Sequence, residues 1–473
     1  MITNAREYQI TKAQCARLVE ALNSPAQASA VAPSPLSELE RQALKSEVDL
    51  LSDHIRDYEN LYEGRLAHLE VEGLGSLPSV LIKARIASRM TQKELAERLG
   101  VHMQQVQRYE ASGYRAVSFE RMLEIAQLLG VKIKQDVVLA EPLVRRATTA
   151  LEGWGLTRDF LVSRGIVSGS AAGEGVIDSV ASFNRLQHIF GWSTKELESQ
   201  PPLRVSAESM GRPLFKLPGG RRQDFVQAYS AYAFRVASGA AKCAADLPTA
   251  AVPTDAEDAR RQILELGPIT LQTVIDWAWS LGIAVLPLRD RAGFHGAFWR
   301  IEGRNVIVLK QQTSSLDRLM HDTLHEVFHA SQEPELASRS VIDTSDLTTS
   351  SKDPEEQEAN MFASNVLLAG RANELAEEVA REAGNHGPAL KRATSIVARR
   401  HGVSAGALAN HLAWVLQQQA QPFDWWGTAQ NLQTLQDGVL EYARDIAFVR
   451  LVPPRGSDID AELLFTALRS EDQ

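Results

Sequence analysis

At 473 residues, 44% of them hydrophobic, the chain is long enough to bury sizeable cores and to form two to four domains. Fifty basic against 59 acidic residues leave a net charge of −9, which argues against a wholesale nucleic-acid coat but leaves room for one basic patch. The two cysteines, Cys15 and Cys243, point to neither a disulfide framework nor a thiolate zinc site. No stretch approaches about 18 uninterrupted apolar residues and the first residues carry no hydrophobic signal core, so the expectation is a soluble, cytoplasmic protein with no membrane partner.

Residues 1–70 read as a helical, coiled-coil-like region. A short helix is expected over 11–22, then an Ala/Ser/Pro linker from Ser24 to Pro35, then a long helix from Leu36 to Glu63. Leu44, Val48, Leu51, Ile55, Tyr58 and Tyr62 alternate by four and three, the spacing of a coiled-coil seam. Such a stripe serves either a homodimer or packing on the first helix of the same chain.

Residues 75–135 hold three helices in close succession. Ser79–Arg89 is the first; Thr91–Gly100 is the second, with Thr91 and Glu94 as a capping box and Gly100 at the position that wants positive φ. Val101–Glu110 follows one turn later, with small Ala96 allowing close approach and Val101 and Val106 beneath. This is a helix-turn-helix, closed by a helix over Ser118–Gly130, and it resembles the Xre (lambda-repressor-like) family over about 55 residues. The resemblance implies a double-stranded DNA operator. Gln104, Gln105 and Arg108 are long enough to reach base edges, Met103 joins them at the helix start, and Gln92 and Lys83 are better placed for phosphates. The plainer alternative is a helix-turn-helix used for protein contact.

Residues 136–265 read as a helical connector without a catalytic constellation; amphipathic helices such as Phe225–Ala237 lie between Gly-rich turns, and Arg221-Arg222 and Arg260-Arg261 read as solvated pairs. A further domain is expected over 266–420. A helix from Leu271 leads to Gly282, Ile283–Leu288 reads as a strand, and Gly296–Ile301 and Asn305–Leu309 flank Glu302-Gly303-Arg304 as a hairpin. This small sheet precedes Leu316–Ala330 and offers an edge strand for a peptide.

Leu316–Ala330 contains His325-Glu326-Val327-Phe328-His329. On a helix, i and i+4 lie one above the other, so His325 and His329 can present two imidazoles to one metal ion, and Glu326 sits where a carboxylate can accept a proton from the water beside that ion. With 11 His in the chain, composition alone predicts about 0.02 such runs. After a polar loop from Ser331 to Asp353, Pro354 and the acidic cluster behind it suit the first turn of another helix, whose Glu356, Asn360, Ala363 and Leu367 share a face. Two His, one carboxylate and an open position make a catalytic rather than a structural zinc set. Spacing alone leaves Glu355, Glu356, Glu358 and His321 in competition for the third ligand.

His-Glu-Val-Phe-His followed by Glu-x-Glu-Ala-Asn-x-Phe-Ala-x-x-x-Leu-Leu (Glu356 to Leu368) resembles the ImmA/IrrE metallo-endopeptidases, whose bacterial members often carry an Xre-type domain. The resemblance implies Glu356 as third ligand, zinc or another divalent metal as cofactor, and Glu326 as general base. Ala369-Gly370 stands where family members commonly have a proline, which touches the helix end rather than the metal. The helix pair over Ala389–Arg400 and Ala405–Leu416 resembles the segment that follows the metal helices in that family. Residues 421–473 are expected to be a helical tail, with Trp425-Trp426 in a local core or at an interface. His295 is the one candidate for an oxyanion contact, on nearness to the hairpin alone.

The expected fold is therefore α+β and mostly helical: an all-α Xre-type domain and a zincin-like domain with a small sheet. The expected function is a bacterial transcriptional regulator that controls a stress, mobile-element or phage-defence operon by zinc-dependent proteolysis of a repressor or toxin. The alternative is a non-enzymatic, antitoxin-like repressor whose metal domain binds a partner or senses a ligand.

Overall fold

The computed structural model describes residues 1–23, 35–66, 68–69, 73–133, 137–169, 175–199, 202–211, 221–288, 290, 294, 296–310, 313–342, 353–384, 386–419 and 424–469. They form two compact units, Met1–Val137 and Val138–Gln473, mostly helical with one small sheet in the second.

The first unit consists of α1 (Ala5–Leu22), α2 (Pro35–Tyr62), α3 (Leu77–Ala87), α4 (Gln92–Leu99), α5 (Met103–Ala111) and α6 (Phe119–Leu128). Helix α1 starts earlier than its apolar pattern indicates because Asn4 caps it, accepting from the Glu7 amide at 2.9 Å. The apolar stripe of α2 is met within the chain: Tyr8 of α1 stacks on Tyr58 with ring centroids 5.0 Å apart, and its hydroxyl donates to Glu59 at 2.6 Å. Helices α4 and α5 form the expected helix-turn-helix. Thr91 and Glu94 make the capping box, Gly100 takes φ 65°, and Ala96 and Val106 are fully buried between the helices. A buried ion pair ties α3 to α5. The Arg85 guanidinium donates to both Glu110 oxygens at 2.6 and 2.8 Å, and also to the Met90 and Thr3 carbonyls. The last contact draws the N-terminus in, and Ile2 lies in the same core.

The second unit begins with α7 (Ala140–Trp154), α8 (Arg158–Ser163), α9 (Gly175–Phe190), α10 (Thr194–Glu198), α11 (Arg221–Cys243), α12 (Ala256–Leu266) and α13 (Leu271–Ser280). Strands β1 (Ala284–Pro287), β2 (Gly296–Ile301) and β3 (Arg304–Leu309) follow, then α14 (Leu316–Ser331), β4 (Arg339–Ile342) and α15 (Pro354–Leu367). The chain ends with α16 (Ala372–Glu382), α17 (Leu390–His401), α18 (Ala405–Gln417), α19 (Trp426–Ala429), α20 (Val439–Arg450) and α21 (Ile459–Arg469). The sheet order is β1-β3-β2-β4, with β1 parallel to β3 and the other pairs antiparallel. Glu302 and Gly303, with φ of 51° and 79°, make a tight two-residue turn between β2 and β3.

Three expectations need correction. The stretch Ser331–Asp353 is not all loop, since it supplies β4, which pairs with β2. The edges of the sheet are thus β1 and β4. The segments 136–265 and 421–473 are neither connector nor appended tail, because their apolar residues share one core with the sheet and α14. Helix α11 covers one face of the sheet, with Phe234 against Trp299 at 6.4 Å. Helix α21 lies so close on α11 that a side chain at Gly239 would strike the backbone of Asp460. Trp425 is buried in that core, and Trp426 donates its Nε1–H to Gln417 at 2.8 Å.

All eight Trp of the chain lie in the second unit, so the two units can be followed separately. Replacing Glu110 with Ala leaves the buried Arg85 without its counter-charge, a loss of about 3–5 kcal/mol. Hydrogen exchange should show protection falling across α3–α6 by that amount while the Trp fluorescence melt stays at its wild-type midpoint.

Candidate metal centre and nucleic-acid interface

Helix α14 is buried along most of its length because Leu319, Leu324, Val327 and Phe328 give it an apolar side that faces the sheet and α15. Both ends are held. At the start, Ser315 caps the Arg318 amide, and the buried Asp317 carboxylate accepts from Ser404 and from the Thr434 amide. At the end, the buried Arg300 guanidinium from β2 donates to the carbonyls of Ala330 at 2.7 Å and Glu333 at 2.6 Å. The Ala330 carbonyl, in the last turn, has no partner within the helix, so a cation placed there satisfies it and favours the negative end of the dipole.

Helix α15 starts with Asp353 capping Glu355 and with Pro354 in the first turn. It crosses α14 where Phe328 meets Phe362 at 5.5 Å. This crossing brings Glu356 to the two histidines. His325 Nε2 lies 3.1 Å from Glu356 Oε2, His329 Nε2 lies 3.5 Å from Glu356 Oε1, and the two Nε2 atoms are 3.2 Å apart. A tetrahedral ion with bonds of about 2.0–2.1 Å holds its ligand atoms roughly 3.3 Å apart, so these spacings suit one small ion. Among the described residues this is the His/Glu group whose donor atoms converge within 4.8 Å.

The polarity of each group follows from its neighbours. His329 Nδ1 meets Glu355 Oε1 at 2.7 Å, so the ring donates there and turns the lone pair of Nε2 inward. Burial pushes the His329 pKa below the ordinary imidazole range, against the Glu355 hydrogen bond, and so keeps the ring neutral. Burial alone would raise Glu355, but the hydrogen bonds from His329 and Arg339 outweigh it and hold its carboxyl at about 2. Arg339, on β4, reaches both Glu355 oxygens at 2.6 and 2.7 Å. Burial likewise works against ionised Glu356, and contact with His325 and His329 lowers its pKa in net. The centre is thus three inward acceptors in a nearly dry place, a set that fits a cation.

The other candidates fall elsewhere. Glu355 lies on the far ring nitrogen of His329, Glu358 is exposed, and the His321 ring is 6.3 Å from that of His325, outside the convergent group. Glu326, next to His325 in the chain, is 2% exposed. His295 lies outside the described residues. Arg339 has no spacing signal in the sequence; only a fold that brings β4 beside β2 places it at the site.

On the helix-turn-helix, Met103, Gln104, Gln105 and Arg108 are exposed along α5, with Gln105 Nε2 donating to the Tyr109 hydroxyl at 2.5 Å. Lys83 is half-buried. Gln92 turns partly inward, its amide donating to Glu110 at 2.7 Å, so the group expected at a phosphate is bonded to the Arg85–Glu110 pair. Gln107, also exposed on α5, was not among the expected DNA-facing residues.

Two family models match the chain. One, described as Helix-turn-helix, covers residues 81–135; the other, described as IrrE N-terminal-like domain of the M78 peptidases, covers residues 280–413. The first spans α3–α6, and the second runs from the end of α13 into α18, including both histidines and Glu356. No curated protein and no solved structure matches the chain. The chain therefore joins an Xre-like helix-turn-helix to an ImmA/IrrE-like domain, a combination that fits a DNA-binding transcriptional regulator.

If Glu355 orients His329 while Glu356 is the ligand, the two variants separate. Glu355→Ala should weaken metal binding about 10–100-fold, as removal of an orienting partner does. Glu356→Ala should lose the ion outright. Competition with a chromophoric chelator measures both, and equal losses would reverse the assignment of the two carboxylates.

Proposed function

We propose that this fusion of a helix-turn-helix to an IrrE-like domain is a bacterial, cytoplasmic regulator that controls its operon by metal-dependent cleavage of a protein, with His325, His329 and Glu356 as ligands and Glu326 as general base. The observation that carries the reading is the convergence of His325 Nε2, His329 Nε2 and the Glu356 carboxylate, on a helix whose Glu326 is also buried. A zinc-like divalent ion bound there supplies a Lewis acid that polarises a peptide carbonyl and acidifies the attacking water. Glu326 accepts that water's proton and returns it to the departing amine. His329 is held in the tautomer that presents Nε2, because Glu355 and Arg339 occupy its other side. The protein cut is a repressor or toxin encoded with the chain, and the operon serves stress, mobile-element or phage-defence responses.

The DNA half binds an inverted repeat as a homodimer through α5. Arg108→Ala should cost about 1–3 kcal/mol on the specific site if Arg108 makes a bidentate contact to a guanine. Titration on the promoter fragment and on random DNA measures this; equal losses on both would assign Arg108 to phosphate. No shift of any promoter fragment at low salt would remove the DNA-binding reading.

Hydrolysis is tested at Glu326. Glu326→Gln keeps the side chain's size but removes the proton acceptor, a change worth roughly 10²–10⁴-fold in rate. The variant should retain metal, fold and DNA binding, yet fail to cleave its target or relieve repression in cells under stress or phage challenge. Behaviour identical to wild type in reporter output and target cleavage would leave the domain as a non-enzymatic binding module.

A further inference from the structure

We propose that Gly296 is a positioning residue for Glu326: the missing side chain at the start of β2 is the space that sets the direction of the Glu326 carboxylate. The proposal rests on the hydrolytic reading above and extends it to a residue with no chemistry of its own.

Gly296 pairs with Leu309 in the antiparallel ladder of β2 and β3, and it is not among the glycines with positive φ. The backbone there is open to any residue, and a strand interior gains nothing from glycine, which weakens strands and leaves no side chain to pack. Something other than conformation calls for it. Alternation along β2 shows what. Arg300 points to α14, where its guanidinium meets the Ala330 carbonyl, while Trp299 points to Phe234 of α11. Gly296 shares the parity of Arg300, so a side chain there would be directed at α14.

The atom it would meet is known. A Cβ built on Gly296 collides with Glu326 Oε1, and lies 3.0 Å from the Glu326 carboxyl carbon and 3.2 Å from its Cγ. The whole outer half of the Glu326 side chain therefore lies flat over the Gly296 Cα. The contrast with Gly239 is informative. There the obstacle is the backbone of Asp460, and a substitution must push one helix off another. At Gly296 the obstacle is the far end of a flexible side chain, so alanine is accommodated by turning Glu326 aside, with the fold left as it is. A general base works only within hydrogen-bond reach of the proton it takes, and a turned carboxylate loses that reach.

The test compares full-length wild type, Gly296→Ala, Glu326→Gln and the double variant. Cobalt(II) replaces the native ion so that its visible absorption reports the surroundings of the bound water. Gly296→Ala should bind one cobalt per chain with wild-type affinity, and its spectrum should move in the same direction as that of Glu326→Gln. A crystal structure of Gly296→Ala, with or without metal, should show Glu326 in a different rotamer. Target cleavage in cells should fall toward the level of Glu326→Gln, roughly 10²-fold or more, and the double variant should fall no further than Glu326→Gln alone. An unmoved Glu326 rotamer, a wild-type spectrum, or an added loss in the double variant would overturn the proposal. If wild type cleaves nothing, the hydrolytic reading fails, and the rotamer and the spectrum still decide whether Gly296 places Glu326.

Discussion

Two imidazole nitrogens and a carboxylate within 4.8 Å of one another, in a place nearly closed to water, are the constraint from which the architecture of the second unit is best understood. Lone pairs so close repel, and burying a carboxylate without a partner is costly. Such an arrangement persists only if the helices bearing it are fixed by contacts elsewhere. Arg300 holds the end of α14 through its carbonyls, Asp317 ties its start to Ser404 and Thr434, and Phe328 on Phe362 locks its crossing with α15. These anchors lie far apart in sequence. The C-terminal residues therefore belong to the site's frame: Thr434 closes the first turn of the helix that carries the histidines.

The same logic explains why the second unit has a single core. Four strands cannot cover their own two faces, and α14 shields only one of them. Helix α11, in a stretch without motifs, shields the other with Phe234 against Trp299, and α21 clamps α11 at Gly239. The segments on either side of the recognisable domain are what make its sheet an interior. A motif-bearing stretch of 134 residues (280 to 413 inclusive) thus depends on helices outside the matched range.

What was legible in the sequence was local. The i, i+4 histidines, the capping box at Thr91 and Glu94, Gly100 at the helix end and the hairpin at Glu302-Gly303 all follow from geometry within a few residues. What was illegible is long-range. Strand β4 is four residues in a polar stretch, and its identity comes from pairing with β2. Arg339 and Glu355 become partners only after that pairing and the placing of α15. Gln92 shows the converse. A polar residue at the start of α4 suits a phosphate contact as well as it suits Glu110, and only the position of the Arg85–Glu110 pair decides between them.

Charge constrains the site independently of distance. Around the histidines stand Glu326, 2% exposed, the Glu356 side chain, 15% exposed, and Glu355, 34% exposed and bonded to Arg339, with Asp322 one turn back along α14. The histidines add nothing, since His329 is kept neutral by burial and an imidazole that coordinates must present a lone pair. Carboxylates that outnumber the nearby cations, in a medium that penalises uncompensated charge, favour a cation among them. With Arg339 shared between Glu355 and Glu333, a cation held by the histidines would offset the Glu356 carboxylate that converges on them.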